Sequence, residues 1–392
     1  MGILFVRKVF LFFFLMVTFI ANSMVENFGE SLQFKEDIGV LNIETQIDSQ
    51  IEKVNSKIVF SMSYASIFGK TLYPSFIYTY AEISNQNNRK EEFKYFVGTI
   101  YSNKNFEGRI RIKENKFIKE TNIDISVNLG KNEIRIDPLW KFEEFIKMLI
   151  PGQIFFSFEL IDKKTEKVLA NSDIQLSYRS ISECVYALKD DEGEILDFYS
   201  YFASYVNEDS LFIEDFLKEA GENWKYLNKE TEGYIPEFQG WLGYQRGAYY
   251  AWVQAFMICY GLYNRGIQYS SITDTSNASS TVFSQNVRFV DNTILNAQAN
   301  CVDGSVLIAS ILEKIGIRTS LVIQNTEESS HMFLAFSEEK NSFDTNKLKY
   351  IETTAISTGD EKAICPRNIK ITPETKFINI REARAKGIKP IQ

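Results

Sequence analysis

The sequence predicts an α+β fold, with an N-terminal antiparallel β-sandwich of immunoglobulin-like type followed by a C-terminal α+β domain. Three observations predict it. From about residue 55 to 180 the dominant hydrophobic period is two, the mark of strands with one buried face. Near residue 190 the period lengthens to that of helices. Beyond 300, a helix that opens on a Cys is followed by three short apolar strands. A chain of 392 residues suits two domains after a leader, and 45% hydrophobic content supplies a large core.

The first 23 residues read as an export signal. Arg7 and Lys8 form a basic start, Val9 to Ile20 is apolar apart from Thr18, and Ala21-Asn22-Ser23 offers small residues for cleavage. The apolar run is short of the roughly 20 residues that span a membrane, so the membrane enters only through an uncleaved leader. The expected location is therefore outside the cytoplasm, periplasmic or at the cell surface. Residues 24–50 are read as a linker.

The sandwich is placed at 51–185. Its strands are read from Ile58/Phe60/Met62, Phe76/Tyr78/Tyr80, Phe93/Tyr95/Val97, Ile110/Ile112, Ile123/Ile125/Val127, Ile134/Ile136, Phe156/Phe158/Leu160 and Ile174/Leu176/Tyr178. Polar turns such as Asn85-Gln86-Asn87-Asn88 and Gly130-Lys131-Asn132 separate them. A short helix over 139–149 stops at Pro151-Gly152. This half carries no reactive constellation, and its expected role is structural or adhesive.

The second domain is placed at 190–392, with a helical lead-in. Leu196 to Phe216 and Gly247 to Tyr263 read as helices; the second is apolar on nearly every side, as a core helix is. Residues 270–284, rich in Ser and Thr, read as an exposed loop.

Charge and cysteine usage narrow the function. Net charge is −8 and no stretch concentrates Lys and Arg, which argues against a nucleic-acid partner. The chain holds one histidine, His331, and no Cys-x-x-Cys pair, so no metal and no cofactor is expected. Four cysteines are too few for a disulfide scaffold, although Cys184 and Cys365 are available to pair in an oxidising compartment.

The chemistry sits after residue 299. Asn300-Cys301-Val302-Asp303-Gly304-Ser305 opens a helix closed by Gly316. A thiol at a helix N-terminus ionises more easily, because unpaired N–H groups and the helix dipole stabilise the thiolate. Asp303 in the same first turn is expected to point away from Cys301. A strand over Ile317–Ile323 follows, then His331 opens a strand, then Glu352 lies on the next, within Ile351-Glu352-Thr353-Thr354. Nucleophile, base and orienting acid thus come from adjacent elements. Gln298 is the candidate oxyanion donor. Taken singly, each residue has a structural alternative: a buried thiol, a surface imidazole, an outward-facing carboxylate. Their joint order favours a site.

These residues resemble the bacterial transglutaminase-like branch of the papain-type fold. In that family a Cys opens a helix in a Gly/Asn-Cys-x-Asp segment, a Gly-Ile strand follows, a His begins a strand and an acid lies on the next. Here the matching features are Asn300-Cys301-Val302-Asp303, Gly316-Ile317, His331 and Glu352, within about 240–360. The family more often has Asp where this chain has Glu352. The resemblance implies an exported thiol enzyme that acts on the amide bonds of a protein or peptide, such as an envelope component, through a thioester. The alternatives are a surface binding or structural protein that keeps the fold without turnover, and a papain-like peptidoglycan hydrolase. The sequence leaves the substrate, the choice between hydrolysis and transamidation, and the oligomeric state open.

Overall fold

The computed structural model describes residues 58–87, 94–230, 248–270, 279–325, 330–337, 347–366 and 369–391. The leader, the linker, residues 271–278 of the Ser/Thr loop and 326–329 of the loop before His331 lie outside the described residues. The fold is mixed α+β with several antiparallel sheets.

The chain divides into two compact units. Among the described residues, one comprises residues 58–59, Ile100–Phe106 and Val127–Asn132; the other comprises those within Phe60–Thr99, Glu107–Ser126 and from Glu133 onward. Within the first, the Asn132 amide donates to the carbonyls of Asn128 at 2.8 Å and Gly130 at 3.1 Å. Gly130 there has φ of 92°, a conformation that favours glycine.

The alternating region forms a sheet in the order Thr71–Leu72, Lys167–Tyr178, Gly152–Asp162, Phe106–Ile112, Thr121–Val127, and a second in the order Val59–Tyr64, Phe96–Ser102, Gly130–Ile136. Gly152–Asp162 and Lys167–Tyr178 pair antiparallel over nearly their whole length. Phe96 of the shorter sheet lies 4.9 Å from Phe156 and 5.2 Å from Phe158 of the longer, and all three rings are fully buried. Ring pairs at this spacing add to the gain from burial.

One predicted strand is a helix. Phe76, Tyr78 and Tyr80 lie on Pro74–Asn87, which places Pro74 at the first turn, where its missing N–H costs nothing. Phe76 and Ile77 are both buried, which a strand with one buried face would not allow. Tyr73, Phe76, Ile77 and Tyr80 fit period two only in part and the helical spacing throughout. The helix expected over 139–149 shrinks to Phe142–Phe145, preceded by the short strand Leu139–Trp140.

Near residue 190 the sequence period changes, yet the backbone continues in one sheet. Glu183–Lys189 pairs antiparallel with Ile195–Asp197 on one side and with Val282–Asn286 on the other. The Ser75 hydroxyl donates to the Glu183 carbonyl, and Thr281 Oγ1 donates to the Ile67 carbonyl at 2.8 Å. The expected helix over Leu196–Phe216 becomes a 3₁₀ segment, Tyr199–Tyr205, and an α-helix, Leu211–Glu230. The polar run Asn207–Ser210 divides them, with Asn207 Oδ1 accepting the Asp209 N–H at 3.0 Å. Ala248–Asn264 is the apolar core helix expected from the sequence.

The C-terminal sheet runs in the order Leu348–Ile351, Ser330–Ser337, Thr319–Asn325, Lys376–Asn379, with every pairing antiparallel. Helix Cys301–Lys314 packs on its two central strands. Val306 to Ile308 and Ile311 to Leu312 are almost wholly buried. Gly316, with φ of 87°, ends that helix as expected. The four cysteines are free, so Cys184 and Cys365 are not paired.

Candidate active site

The position of Cys301, the candidate nucleophile, is set by its helix start. Asn300 caps helix Cys301–Lys314 by accepting the Asp303 N–H at 2.8 Å, and Asp303 Oδ2 accepts the Asn300 N–H at 3.1 Å. This reciprocal capping box fixes both residues that flank Cys301 and Val302. Asp303 is fully buried; its oxygens also accept the Arg288 backbone N–H at 2.8 Å and Arg288 Nη1 at 3.0 Å. Those partners engage both carboxylate oxygens. Burial pushes the Asp303 carboxyl up, against the pull of its hydrogen bonds and of Arg288.

Cys301 itself is half-buried, while the other three cysteines are buried. Burial pushes the Cys184 and Cys259 thiols well up, and that of Cys365 to about 12.

His331 comes from the sheet, and Glu352 from the turn that leaves its edge strand. Strand Ser330–Ser337 places His331 opposite Gln324, and Glu352 follows Ile351, the residue paired with Leu334. His331 Nε2 lies 2.9 Å from Glu352 Oε2, and the ring lines the same cleft as Cys301. With Nε2 committed to the carboxylate, Nδ1 is the ring nitrogen left over. The Cys301 side chain and then the bond with Glu352 raise the His331 pKa from 6.5 to about 10, against the opposing effect of burial.

Glu352 is not on a strand, as the sequence suggested, but is the N-cap of the 3₁₀ turn Thr353–Thr358. Its Oε1 accepts the Thr354 N–H at 3.1 Å and the Thr354 hydroxyl at 2.6 Å, leaving Oε2 for the imidazole. Burial raises its pKa, but the bonds from His331 and Thr354 outweigh that and hold it below the ordinary 4.5. The extra methylene of Glu relative to Asp is thereby taken up by a local cap. The next residue docks on the nucleophile helix: Thr353 Oγ1 donates to the Cys301 carbonyl at 3.2 Å, and Ser305 Oγ donates to the same oxygen at 2.7 Å.

Cys301 and His331 open on a cleft of about 220 Å³, lined also by Tyr186, Tyr199, Phe202, Tyr269 and Gln285. Gln298 is not among its lining residues; it is exposed on a two-residue strand paired in parallel with Gln268–Tyr269. Sequence reasoning missed Gln285 and Tyr269. Gln285 is the next-to-last residue of an alternating strand, Val282–Asn286, and that placement was the only local sign of it. Tyr269 reaches the site because its strand aligns it with Ala299, and no local signal marks that.

Comparison with family models, with curated proteins and with solved structures found no match to the chain.

Proposed function

We propose that this chain is an exported transglutaminase-like thiol enzyme that cleaves or transfers amide bonds of a protein or peptide substrate. The observation that carries the reading is the His331–Glu352 bond at 2.9 Å on a ring that lines one cleft with Cys301. An imidazole held by a carboxylate on Nε2 and opening on the same cleft as a thiol is suited to exchange a proton with sulfur. The pairing of a helix-borne Cys with a sheet-borne His and a neighbouring acid supports a papain-type reading of this half. The two sheets that meet at Phe96, Phe156 and Phe158 support a sandwich of immunoglobulin-like type before it.

In the reaction, Cys301 passes its proton to His331 and sulfur attacks the amide carbonyl carbon. The carbonyl oxygen becomes an oxyanion; of the two glutamines Gln285 borders the cleft and Gln298 does not, and the Gln285 amide Nε2 donates to the Asn286 carbonyl at 3.0 Å, leaving its second N–H for the oxyanion. His331 then gives its proton to the leaving nitrogen as the C–N bond breaks, and a thioester remains. Water or a primary amine attacks the thioester, His331 takes the proton from the attacking atom, and Cys301 is restored. Glu352 keeps the imidazole oriented and stabilises its cationic form without itself accepting the proton.

Export rests on the leader, and a mature N-terminus near Met24, read by terminal sequencing, is the expected outcome. For the thiol chemistry the test is alkylation. Dilute iodoacetamide at pH 6 should label Cys301 ahead of the other three cysteines, and His331→Ala should slow it. Equal labelling of Cys301 and Cys365, or an unchanged rate in His331→Ala, would favour the binding protein without turnover.

A further inference from the structure

We propose that the cleft at Cys301 selects an uncharged peptide segment with an aromatic or bulky apolar side chain on the residue whose carbonyl is attacked. The inference rests on the thiol-enzyme reading and adds its substrate class. Three rings of one wall form a ladder: Tyr186 stacks on Tyr199 at 5.2 Å and on Phe202 at 5.7 Å. Tyr199 is further held by Lys376, whose Nζ stands 4.4 Å from its ring centroid, so this wall is braced before any ligand arrives. Tyr269 contributes a fourth ring, and Val302, Ile323 and Met332 supply buried apolar surface.

Among the described residues that border the cleft there is no Lys, Arg, Asp or Glu; His331 is the only titratable cation, and it is already paired. An acidic or basic side chain entering there would leave water for Tyr hydroxyls and the amides of Gln285 and Asn300, without a counter-ion. An aromatic ring meets ring edges and apolar floor at no such cost. At about 220 Å³ the cleft is smaller than pockets that take drug-sized ligands, which suits one large side chain.

The test uses the full chain and four acetyl-X-chloromethyl ketones, with X as Phe, Ala, Glu or Lys. Cys301 alkylation is followed by mass spectrometry, and each rate is divided by the iodoacetamide rate of the same protein. The Phe probe should exceed the Ala, Glu and Lys probes by about tenfold or more, as expected for a filled apolar pocket. Tyr186→Ala should lower the Phe-to-Ala ratio at least several-fold, and Tyr199→Ser does the same service if the first variant does not fold. Fast iodoacetamide labelling of Cys301 with equal probe rates, or with Glu or Lys preferred, overturns the selection while leaving the thiol reading intact. If iodoacetamide does not single out Cys301, both fall together.

Discussion

Gly304 lies so close to Thr353 that a Cβ on the glycine would stand 3.1 Å from the threonine Cβ and 3.3 Å from its hydroxyl oxygen. The helix bearing Cys301 and the turn bearing Glu352 are therefore in contact through a glycine that has nothing to spare. Gly304→Ala must push Thr353 back and with it the bond from Thr353 Oγ1 to the Cys301 carbonyl. Overpacking of this kind costs about 1–3 kcal/mol. Cys301 alkylation should slow in this variant while circular dichroism stays native, and a wild-type alkylation rate would show that the contact plays no part in the site.

Asp303 is the support beneath the nucleophile. Asp303→Ala keeps the Asn300 cap on the residue 303 N–H but removes the reciprocal bond from the Asn300 N–H and leaves Arg288 without its buried partner. A buried N–H left without its acceptor together with a broken buried pair predicts a loss of roughly 2–4 kcal/mol. Urea unfolding of the variant beside wild type measures it, and a change below half a kcal/mol would contradict the role given to the box.

The His331–Glu352 pair should leave a signature in stability against pH. The folded pKa of His331 lies above its ordinary 6.5, at about 10. Its contribution is therefore complete below pH 6.5 and lost as pH rises through about 10. Glu352 is held below 4.5, so its contribution is present above that pH and lost as pH falls past it. The stability difference between wild type and His331→Ala should be largest between about pH 4.5 and 6.5 and shrink toward pH 10. Denaturant midpoints across pH 5–10 give that difference, and one that grows with pH would reverse the assignment.

Thr354 holds the second carboxylate oxygen of Glu352 through both its N–H and its hydroxyl. Thr354→Val keeps the shape and removes the 2.6 Å bond. Cys301 alkylation at pH 6 should fall by a few-fold in Thr354→Val and recover in Thr354→Ser, whereas identical rates in the two would make the hydroxyl irrelevant to the acid.

A chain cut to 190–392 loses Glu183–Lys189, the central strand between Ile195–Asp197 and Val282–Asn286. An unpaired strand edge invites association with other chains. The shortened chain should elute as aggregate in size-exclusion chromatography, and a monomer with a cooperative thermal transition would establish 190–392 as self-sufficient.

The site was more legible in the sequence than the path of the chain around it. Cys301, His331 and Glu352 each follow a local signal, a cap, a loop-to-strand step and a polar residue amid apolar ones, and local signals survive folding. Phe76 to Tyr80 read as a strand because alternate aromatics satisfy period two, while the helical sense lay in Pro74 and in the burial of Ile77. Glu352 read as a strand residue because only the structure reveals the cap on Thr354. Gln285 and Tyr269 were invisible as site residues, since they arrive by pairing between segments distant in sequence. The sheet that crosses residue 190 is likewise a long-range pairing, and hydrophobic period is a short-range quantity.

His331 is the only histidine in the chain, and its Nε2 is tied to Glu352. Imidazole is the one side chain that ordinarily changes charge between pH 5 and 8. An imidazole resonance in a nuclear magnetic resonance spectrum of this protein therefore needs no assignment. Its chemical shift reports the protonation of the site directly, and a ring N–H signal shifted downfield by the carboxylate would mark the engaged ring in intact protein, without a substrate.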